Sequence, residues 1–271
     1  MDNTKLEDLY QTAKNWVYEA GEVIKRSFSN ELNITYKSHY ADLVTDMDKA
    51  IEKFFIDKIK KEYPDHEILG EEGYGDEVKD LDGTVWIIDP IDGTTNFVHQ
   101  QNNFAISVGI FHNGEGKAAF IYDVVRNELF HCIKGNGLYL NEEKLPLLSE
   151  VTLDKAVIGL NATWITPNRK IDHHLLLPLV RKSRGTRSYG TAAIELAYVA
   201  CGRLDAYMTM RLSPWDFAAG YILIQEAGGI ISTMDGSKVK VLSKTSIFAA
   251  KPGLHQEILD TIHTGTPQDG E

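Results

Sequence analysis

The segment 85–97, V-W-I-I-D-P-I-D-G-T-T-N-F, limits the possible folds of this chain more than any other stretch. Residues 85–88 form a short apolar run of β-favouring side chains, which predicts a buried strand. Because Pro90 has no N–H to donate to a sheet, we expect the strand to end near Asp89. The carboxylates of Asp89 and Asp92 are then predicted to leave the sheet together.

The residues around these two carboxylates favour binding of a cation and an anion. Asp89 and Asp92 flank the Ile91 carbonyl, and this set of oxygen ligands suits a hard divalent cation such as Mg²⁺. Gly93 permits close backbone approach, and the N–H groups of residues 93–95 can form a nest for an anion at the start of a short helical turn. The alternative is a solvated Asp-Gly turn that follows a core strand and binds no metal.

Three parts of the chain resemble the inositol monophosphatase family of magnesium-dependent, lithium-sensitive phosphomonoesterases. The first is D-P-I-D-G-T-T-N-F at 89–97. The second is the pair D-L-V-T-D-M-D at 42–48 and G-E-E at 70–72, and the third is W-D-F-A-A-G-Y-I-L-I-Q-E-A-G-G at 215–229. The resemblance covers nearly the whole chain. It implies the five-layer α-β-α-β-α fold of that family.

The resemblance also implies a set of ligands for two or three Mg²⁺ ions. The first ion is expected on Glu71, Asp89 and the Ile91 carbonyl. The second is expected on Asp89, Asp92 and Asp216, so that Asp89 bridges the two, and a third ion would be loosely held near Glu71. Without the resemblance, Glu71 belongs to a solvated acidic pair, and Asp216 belongs to a helix start of the form Ser-Pro-x-Asp.

The predicted catalytic residues are Thr94, Asp48 and Glu71. By resemblance, Thr94 and Asp48 orient or deprotonate the attacking water, the N–H groups of Gly93 and Thr94 contact the phosphate, and no phosphoenzyme forms. The alternative for Asp48 is structural. Thr45 is a predicted N-cap, and Asp48 occupies the reciprocal capping position three residues later.

The predicted substrate contacts are Ile91, Asp92, Gly93, Thr94, Gly190, Thr191, Ala192, Thr209, Arg211 and Asp216. The segment 190–192 either faces an anion with free N–H groups or simply begins a helix. The family usually places a Glu that binds inositol hydroxyls seven positions before its second-motif Asp, where this chain has Thr209. A short neutral side chain cannot make the same charge-assisted bonds, which predicts broad or shifted specificity. Arg211 either faces a second anionic group of the substrate or is simply exposed.

The remaining segments predict an α/β chain of layered sheets and helices. Helices are predicted at 6–28, 45–62, 168–184, 187–203, 213–228 and 254–262, and strands at 33–37, 68–70, 156–161, 204–210, 230–231, 239–241 and 247–250, with a β-meander over 104–145. We expect two interdependent halves. Residues 1–147 would carry most metal ligands, and residues 148–271 would carry Asp216 and substrate contacts.

Composition excludes several other classes of protein. A net charge of −11 disfavours binding to a nucleic-acid polymer. Cys132 and Cys201 lack C-x-x-C spacing, which predicts neither disulfides nor a zinc site, and the pair His173-His174 is predicted on an exposed helix face. No apolar run reaches the roughly 20 residues of a membrane helix and no signal pattern opens the chain, so a cytoplasmic location without membrane contact is expected. The family resemblance suggests a homodimer.

These observations predict magnesium-dependent hydrolysis of a small phosphate monoester, with inositol monophosphate as the first choice. NADP or phosphoadenosine phosphatase and fructose-1,6-bisphosphatase activities are the alternatives within the family. A protein that binds metal and phosphate to regulate a partner without turnover is the alternative of another class. Because every predicted side-chain ligand position holds Glu or Asp, the sequence favours the enzyme.

Overall fold

The computed structural model describes residues 2–28, 34–36 and 43–264. The helices of this part are α1 (Asn3–Ser27), α2 (Asp46–Glu62), α3 (Thr94–Gln100), α4 (Leu177–Lys182), α5 (Ala192–Ala200), α6 (Pro214–Glu226) and α7 (Leu254–Thr264), with 3₁₀ turns at Leu153–Lys155, Ala162–Ile165 and His173–Leu175. The strands are β1 (Ile34–Tyr36), β2 (Leu43–Thr45), β3 (Glu67–Gly70), β4 (Thr84–Asp92), β5 (Ala105–His112), β6 (Glu115–Asp123), β7 (Glu128–Ile133), β8 (Leu138–Leu140), β9 (Glu143–Lys144), β10 (Val157–Leu160), β11 (Gly185–Arg187), β12 (Ala206–Leu212), β13 (Ile230–Ser232) and β14 (Thr245–Ala250).

The larger sheet has the strand order β3-β4-β5-β6-β7-β8-β9 and is covered by helices on both faces. All residues of β4 are buried, and its side chains alternate between two cores. Trp86 and Ile88 pack into the core shared with α1 and α2. Val85 and Ile87 pack into the core shared with α5 and α6. The meander predicted after β4 is confirmed by the antiparallel strands β5 to β9.

The second sheet has the strand order β11-β10-β12-β14-β13 and is covered in the same way. On its central strand β12, Tyr207 packs into the core with α5 and α6, whereas Ala206 and Met208 pack against α4 and α7. Helices and sheets therefore alternate as α1/α2, the larger sheet, α5/α6, the second sheet, and α4/α7. The predicted five-layer α-β-α-β-α fold is confirmed.

The predicted end of β4 at Asp89 is wrong. The strand continues to Asp92, and its pairing with β5 shifts between Asp89, opposite Ser107, and Asp92, opposite Ala105. The intervening Pro90 lies in this bulge, where a residue without an N–H removes no ladder bond. Asp89 and Asp92 therefore lie on either side of this bulge, in the last four residues of the strand.

Three other element predictions also need correction. Segment 168–184 is not one helix, because the Asn168 side chain accepts the N–H groups of Lys170 at 2.8 Å and Ile171 at 3.1 Å and holds a turn there. The His173-His174 pair consequently lies in a 3₁₀ turn. Helix α5 begins at Ala192 instead of near residue 187, because Thr191 caps it. Residues 239–241 form no described strand, although Val239 is buried.

Some predictions fall on residues that the structure does not describe. Asn33, Lys37 and Asp42 lie outside the described residues. Cys132 and Cys201 are both free thiols, the first buried and the second partly exposed. Among the described helices, none combines the length and the apolar character that crossing a bilayer requires.

Candidate active site

Three carboxylates from distant parts of the chain converge at the end of β4. Asp89 and Asp92 follow the bulge of that strand, and Asp216 lies in the first turn of α6. One oxygen of each carboxylate lies within 4.8 Å of the others. Asp89 is 1% exposed and Asp92 is 8% exposed, so the cluster is largely shielded from water.

Backbone N–H groups orient each of these carboxylates. The Ile91 N–H donates to Asp89 Oδ1 at 3.0 Å, and the Ser213 N–H donates to Asp216 Oδ2 at 2.7 Å. Asp92 Oδ2 accepts the Thr191 hydroxyl and the Ala193 N–H, the latter at 2.7 Å, and so connects β4 to the start of α5. Because an ionised carboxylate has about four acceptor sites, each retains sites that a cation can use.

Glu71 approaches the cluster from the neighbouring strand. Its N–H donates to the Ile88 carbonyl at 3.3 Å, which extends the parallel pairing of β3 and β4 by one residue. Burial is the main cause of the raised pKa values of Asp89, Asp92 and Asp216, and the charge of the half-buried Glu71 side chain raises them further. Glu71 therefore belongs to the same acidic site.

Buried Glu52 holds the loop that carries Glu71. The side chain of Glu52 extends from α2 and accepts the N–H groups of Glu72 at 2.6 Å and Tyr74 at 2.8 Å, one on each oxygen. A Cβ added at Gly70 would overlap the Glu52 carboxylate, so only glycine fits there without movement. The direction of Glu71 is therefore set by helix α2 as well as by β3.

Asp48 combines the capping geometry and the predicted catalytic contact. Its Oδ2 accepts the Thr45 N–H at 2.8 Å, and the Thr45 side chain caps α2, as the sequence predicted. Its Oδ1 lies 3.2 Å from the Thr94 hydroxyl, which also lies 3.2 Å from the Ile91 carbonyl. The two interpretations of Asp48 are therefore compatible, because each uses a different oxygen.

Burial gives these carboxyl groups unusual acidities. It raises the pKa of Asp92 to about 7 and that of Asp216 to about 8, and neighbouring carboxylates act in the same direction. The pKa of Asp89 is raised well above its usual range by burial and then by Glu71, Asp92 and Asp216. Burial also raises the pKa of Asp48. Such a cluster favours either bound protons or a divalent cation, and its hard oxygen donors fit Mg²⁺.

The turn after Asp92 is formed by Gly93, which has φ of 91° and precedes α3. A Cβ at Gly93 would approach the Thr191 Cβ to 3.1 Å and the Asn103 carbonyl oxygen to 3.2 Å. The backbone therefore packs closely between two other segments. Helix α3 begins directly after Gly93, and binding of an anion by its first N–H groups stays a prediction.

A cavity of about 320 Å³ opens beside Asp92 and Asp216. It is lined by Asp92, Asn161, Thr163, Trp164, Ser188, Gly190, Thr191, Ala192, Glu195, Tyr207, Met208, Thr209, Leu212 and Asp216. Six of the predicted substrate contacts line this cavity: Asp92, Gly190, Thr191, Ala192, Thr209 and Asp216. Arg211 is exposed and is not one of its described lining residues.

Sequence reasoning missed Glu195, which lines the same cavity from α5. Its carboxylate accepts the N–H groups of Tyr189, at 2.5 Å, and Gly190. Burial raises its pKa to about 7. One signal in the sequence could have identified it, because Glu195 is the single charged residue of the otherwise apolar helix Ala192–Ala200.

Comparisons with known proteins give the relatives of this chain. A sequence model described as the inositol monophosphatase family matches residues 5–266. An inositol-1-monophosphatase of Bacillus subtilis is 54% identical over 95% of this chain and 97% of its own length. A staphylococcal IMPase-II solved with inositol monophosphate is 41% identical, with a TM-score of 0.84 over 93% of this chain and 92% of that one. An IMPase/NADP phosphatase solved with Mg²⁺ and phosphate is 26% identical, with a TM-score of 0.87 over 95% of both chains.

Proposed function

This chain belongs to the inositol monophosphatase family, and we propose that it hydrolyses inositol monophosphate, with inositol 1-phosphate as the first candidate, in a Mg²⁺-dependent reaction. Members of this family are phosphoric monoester hydrolases, so the chain is an enzyme of that class. The observation that carries the proposal is the convergence of Asp89, Asp92 and Asp216 beside the Asp48–Thr94 pair. This arrangement combines cation ligands with a group that can accept a proton.

The acidic cluster is the proposed metal site. Glu71, Asp89 and the Ile91 carbonyl would hold one Mg²⁺, and Asp89, Asp92 and Asp216 would hold a second, with a third near Glu71. The all-oxygen donor set and the raised pKa values of the buried carboxyls support this assignment. When bound, Mg²⁺ would activate the attacking water and neutralise charge on the phosphate and the leaving oxygen.

Thr94 and Asp48 are proposed to take the proton of the attacking water. The Thr94 hydroxyl can donate to Asp48 Oδ1, 3.2 Å away, which leaves the Thr94 oxygen free to accept a proton. The raised pKa of buried Asp48 makes its carboxylate a stronger base than an exposed one. Attack of the water oxygen on phosphorus then breaks the P–O ester bond, whose electron pair stays on the alkoxide oxygen. The alkoxide takes a proton from solvent and leaves as the alcohol. No phosphoenzyme is needed.

The N–H groups of Gly93 and Thr94 are the proposed phosphate contacts, and the 190–192 segment would face the alcohol part of the substrate. Support comes from the position of 190–192 on the wall of the cavity next to Asp92. The names of the Bacillus and staphylococcal relatives favour inositol monophosphate. A relative named an IMPase/NADP phosphatase supports phosphorylated nucleotides as the second candidate.

Several family-typical features are also proposed for this chain. They are a homodimeric assembly, inhibition by Li⁺, and two halves, 1–147 and 148–271, that contribute ligands to one site. The bonds from Asp92 to Thr191 and Ala193 support the last point, since they join the two halves at the site itself.

Phosphate release by the purified protein tests the proposed function. The panel should contain inositol 1-phosphate, fructose 1,6-bisphosphate, NADP and phosphoadenosine phosphate, each with Mg²⁺ and with excess chelator. We expect Mg²⁺-dependent release that is fastest from inositol 1-phosphate. Absence of release from the whole metal-replete panel would instead support a regulatory protein that binds metal and phosphate without turnover.

A further inference from the structure

Glu195 is a buried carboxyl group that the proposed mechanism does not use. It lies on α5, whose residues are all buried, and it is only 4% exposed. It lines the cavity beside Asp92 and Asp216 but is not part of the described group of three converging carboxylates. Burial of a carboxyl group without hydrogen-bond partners costs free energy, so Glu195 is expected to have such partners.

Backbone bonds hold Glu195 but do not saturate it. The N–H groups of Tyr189 and Gly190 both donate to its carboxylate. A carboxylate has about four acceptor sites, so roughly two remain for other donors. The segment 189–190 is also held from its other side, because Asn96 Nδ2 donates to the Tyr189 carbonyl at 2.7 Å. Glu195 is therefore a fixed acceptor.

Tyr207 and Thr209 line the cavity together with Glu195. Both residues project from β12, and both are buried, at 6% exposure each. The Tyr207 phenol is close enough to Glu195 for that carboxylate to raise its pKa, after the larger effect of burial. These three side chains, here called the polar wall, offer a carboxylate and two hydroxyl groups to whatever occupies the cavity.

The described lining of the cavity offers no cationic side chain to a second anionic group on its occupant. Among the described lining residues, three are carboxylic acids and none is Lys or Arg. Burial raises the pKa of Asp216 and Lys244 opposes this only in part, but Lys244 is not one of these lining residues, and neither is Arg211. A second phosphate in the cavity would therefore face Glu195 without a described cation beside it. A volume of about 320 Å³ is near the lower end of ligand pockets, which span roughly 300–1,000 Å³.

We propose that Glu195 is a specificity-determining residue that accepts hydrogen bonds from hydroxyl groups of the substrate's alcohol part. The polar wall thereby selects monophosphates of neutral polyols over esters that carry a second phosphate. This inference rests on the proposed phosphatase function and adds the chemical class of the leaving group. It also gives the exposed Arg211 no part in selection.

The test compares two esters that share a phosphate but differ in the leaving group. Inositol 1-phosphate carries hydroxyl groups, whereas p-nitrophenyl phosphate carries none. Glu195→Gln keeps the size of the side chain and removes its charge. Because a hydrogen bond to a charged group is worth more than a neutral one, we expect kcat/KM for inositol 1-phosphate to fall about tenfold further than kcat/KM for p-nitrophenyl phosphate. The preference against fructose 1,6-bisphosphate should weaken in the same variant.

Glu226→Gln is the matched control. Glu226 lies on α6 and also accepts backbone N–H groups, those of Gly135 at 3.0 Å and Gly137 at 3.3 Å, but it does not line the cavity. We expect it to leave the ratio of the two kcat/KM values unchanged. If Glu195→Gln does not fold, Glu195→Asp takes its place, because it keeps the charge but withdraws it from the cavity, and it should change the same ratio.

Each outcome separates the two proposals. An equal loss on both esters would show that Glu195 only supports the 189–190 loop, and this would overturn its role in specificity. Mg²⁺-dependent hydrolysis of p-nitrophenyl phosphate by the wild type tests the phosphatase proposal alone. A wild type that hydrolyses neither ester would refute that proposal and the role of Glu195 that depends on it.

Discussion

Asp89 is a buried carboxyl group surrounded by other carboxyl groups. It is 1% exposed, lies beside Asp92, Asp216 and Glu71, and accepts only the Ile91 N–H in the described hydrogen bonds. A carboxyl group in this position opposes ionisation unless a cation is bound. The ionised form of Asp89 therefore destabilises the fold unless a cation binds, and protonation is the alternative.

Replacement of Asp89 by Asn is therefore expected to separate activity from stability. We expect at least about a 100-fold loss of Mg²⁺-dependent phosphate release, because the proposed bridging charge is lost. Without metal, the thermal midpoint at pH 8 should stay level or rise, since one buried charge disappears. Asp57→Asn, at an exposed position of α2, is the control. Unchanged turnover in Asp89→Asn would refute the ligand assignment.

Thr94 provides a second test at the scale of one residue. Thr94→Ala removes the hydroxyl that lies 3.2 Å from Asp48 Oδ1, whereas Thr94→Ser retains it. We expect kcat to fall by roughly 10²–10⁴ in the Ala variant, which is the range for loss of general base catalysis, and by much less in the Ser variant. Steady-state kinetics at saturating Mg²⁺ give the comparison. Equal losses in both variants would mean that the methyl group, not the hydroxyl, matters.

At the scale of elements, the site is assembled from the ends of helices and strands. Strand β4 has a bulge near its end. Asp48 of α2 and Asp216 of α6 each occupy the third position of a capping box. An N–H group in the first turn of α5 donates to Asp92. A helix start tolerates a buried carboxylate because its free N–H groups stabilise negative charge. The bulge of β4 and the N-termini of α2 and α6 thus provide carboxylates of the site.

The contact between β3 and α2 gives a prediction about an element. A methyl group at Gly70 would displace the Glu52 carboxylate and free the N–H groups of Glu72 and Tyr74. We expect Gly70→Ala to lower the free energy of unfolding by about 1–3 kcal/mol and to raise the Mg²⁺ concentration needed for half-maximal activity. Denaturant unfolding and Mg²⁺ titration measure the two effects.

Gly185→Ala is the control for that substitution. Gly185 lies on the edge strand β11, where an added Cβ would meet only Arg187 Nη1 at 3.5 Å, an ordinary contact distance. We expect little change in stability or in the Mg²⁺ requirement. An equal effect of both substitutions would show that the Glu52 contact is not what positions Glu71.

For the whole molecule, the raised carboxyl pKa values link stability to pH. Asp92 and Asp216 have pKa values of about 7 and about 8 in the fold, against 3.8 as the ordinary value. Groups with raised pKa values contribute stability that is fully present below about pH 4 and is lost as pH rises through 7 to 8. Without metal, the free energy of unfolding is therefore expected to fall as the pH rises from about 4 to about 8.

Thermal unfolding from pH 5 to 8.5, with chelator and with Mg²⁺, measures this effect. We expect the midpoint with chelator to fall as pH rises, and the increase caused by Mg²⁺ to grow with pH, because protons compete with the cation. In Asp92→Asn, both the fall of the midpoint with chelator and the growth of the Mg²⁺-induced increase should depend less steeply on pH. A Mg²⁺-induced increase that is the same at pH 6 and pH 8.5 would contradict the link between these carboxyls and the metal.

Much of the molecule could be predicted because many of its features are local in sequence. The cap of α2 by Thr45, the buried run at 85–88 and the meander after it all depend on neighbouring residues, and all are confirmed. The family resemblance is likewise carried by short motifs, and the family match over residues 5–266 confirms it. Local chemistry was less informative at 168–184, where side-chain bonds from Asn168 replace the expected helix.

The sequence by itself therefore determined the family, the layered fold and the carboxylates available for chemistry. Only the tertiary structure decided how those groups meet, because the decisive contacts join distant residues. Asp92 and Ala193 are 101 positions apart, yet their bond joins β4 to α5. The position of Glu195 on the cavity wall and the exposure of Arg211 depend on how α5, which lies between the two sheets, packs against β12 of the second sheet. No local pattern encodes that packing, since it follows from the burial of side chains contributed by the whole chain.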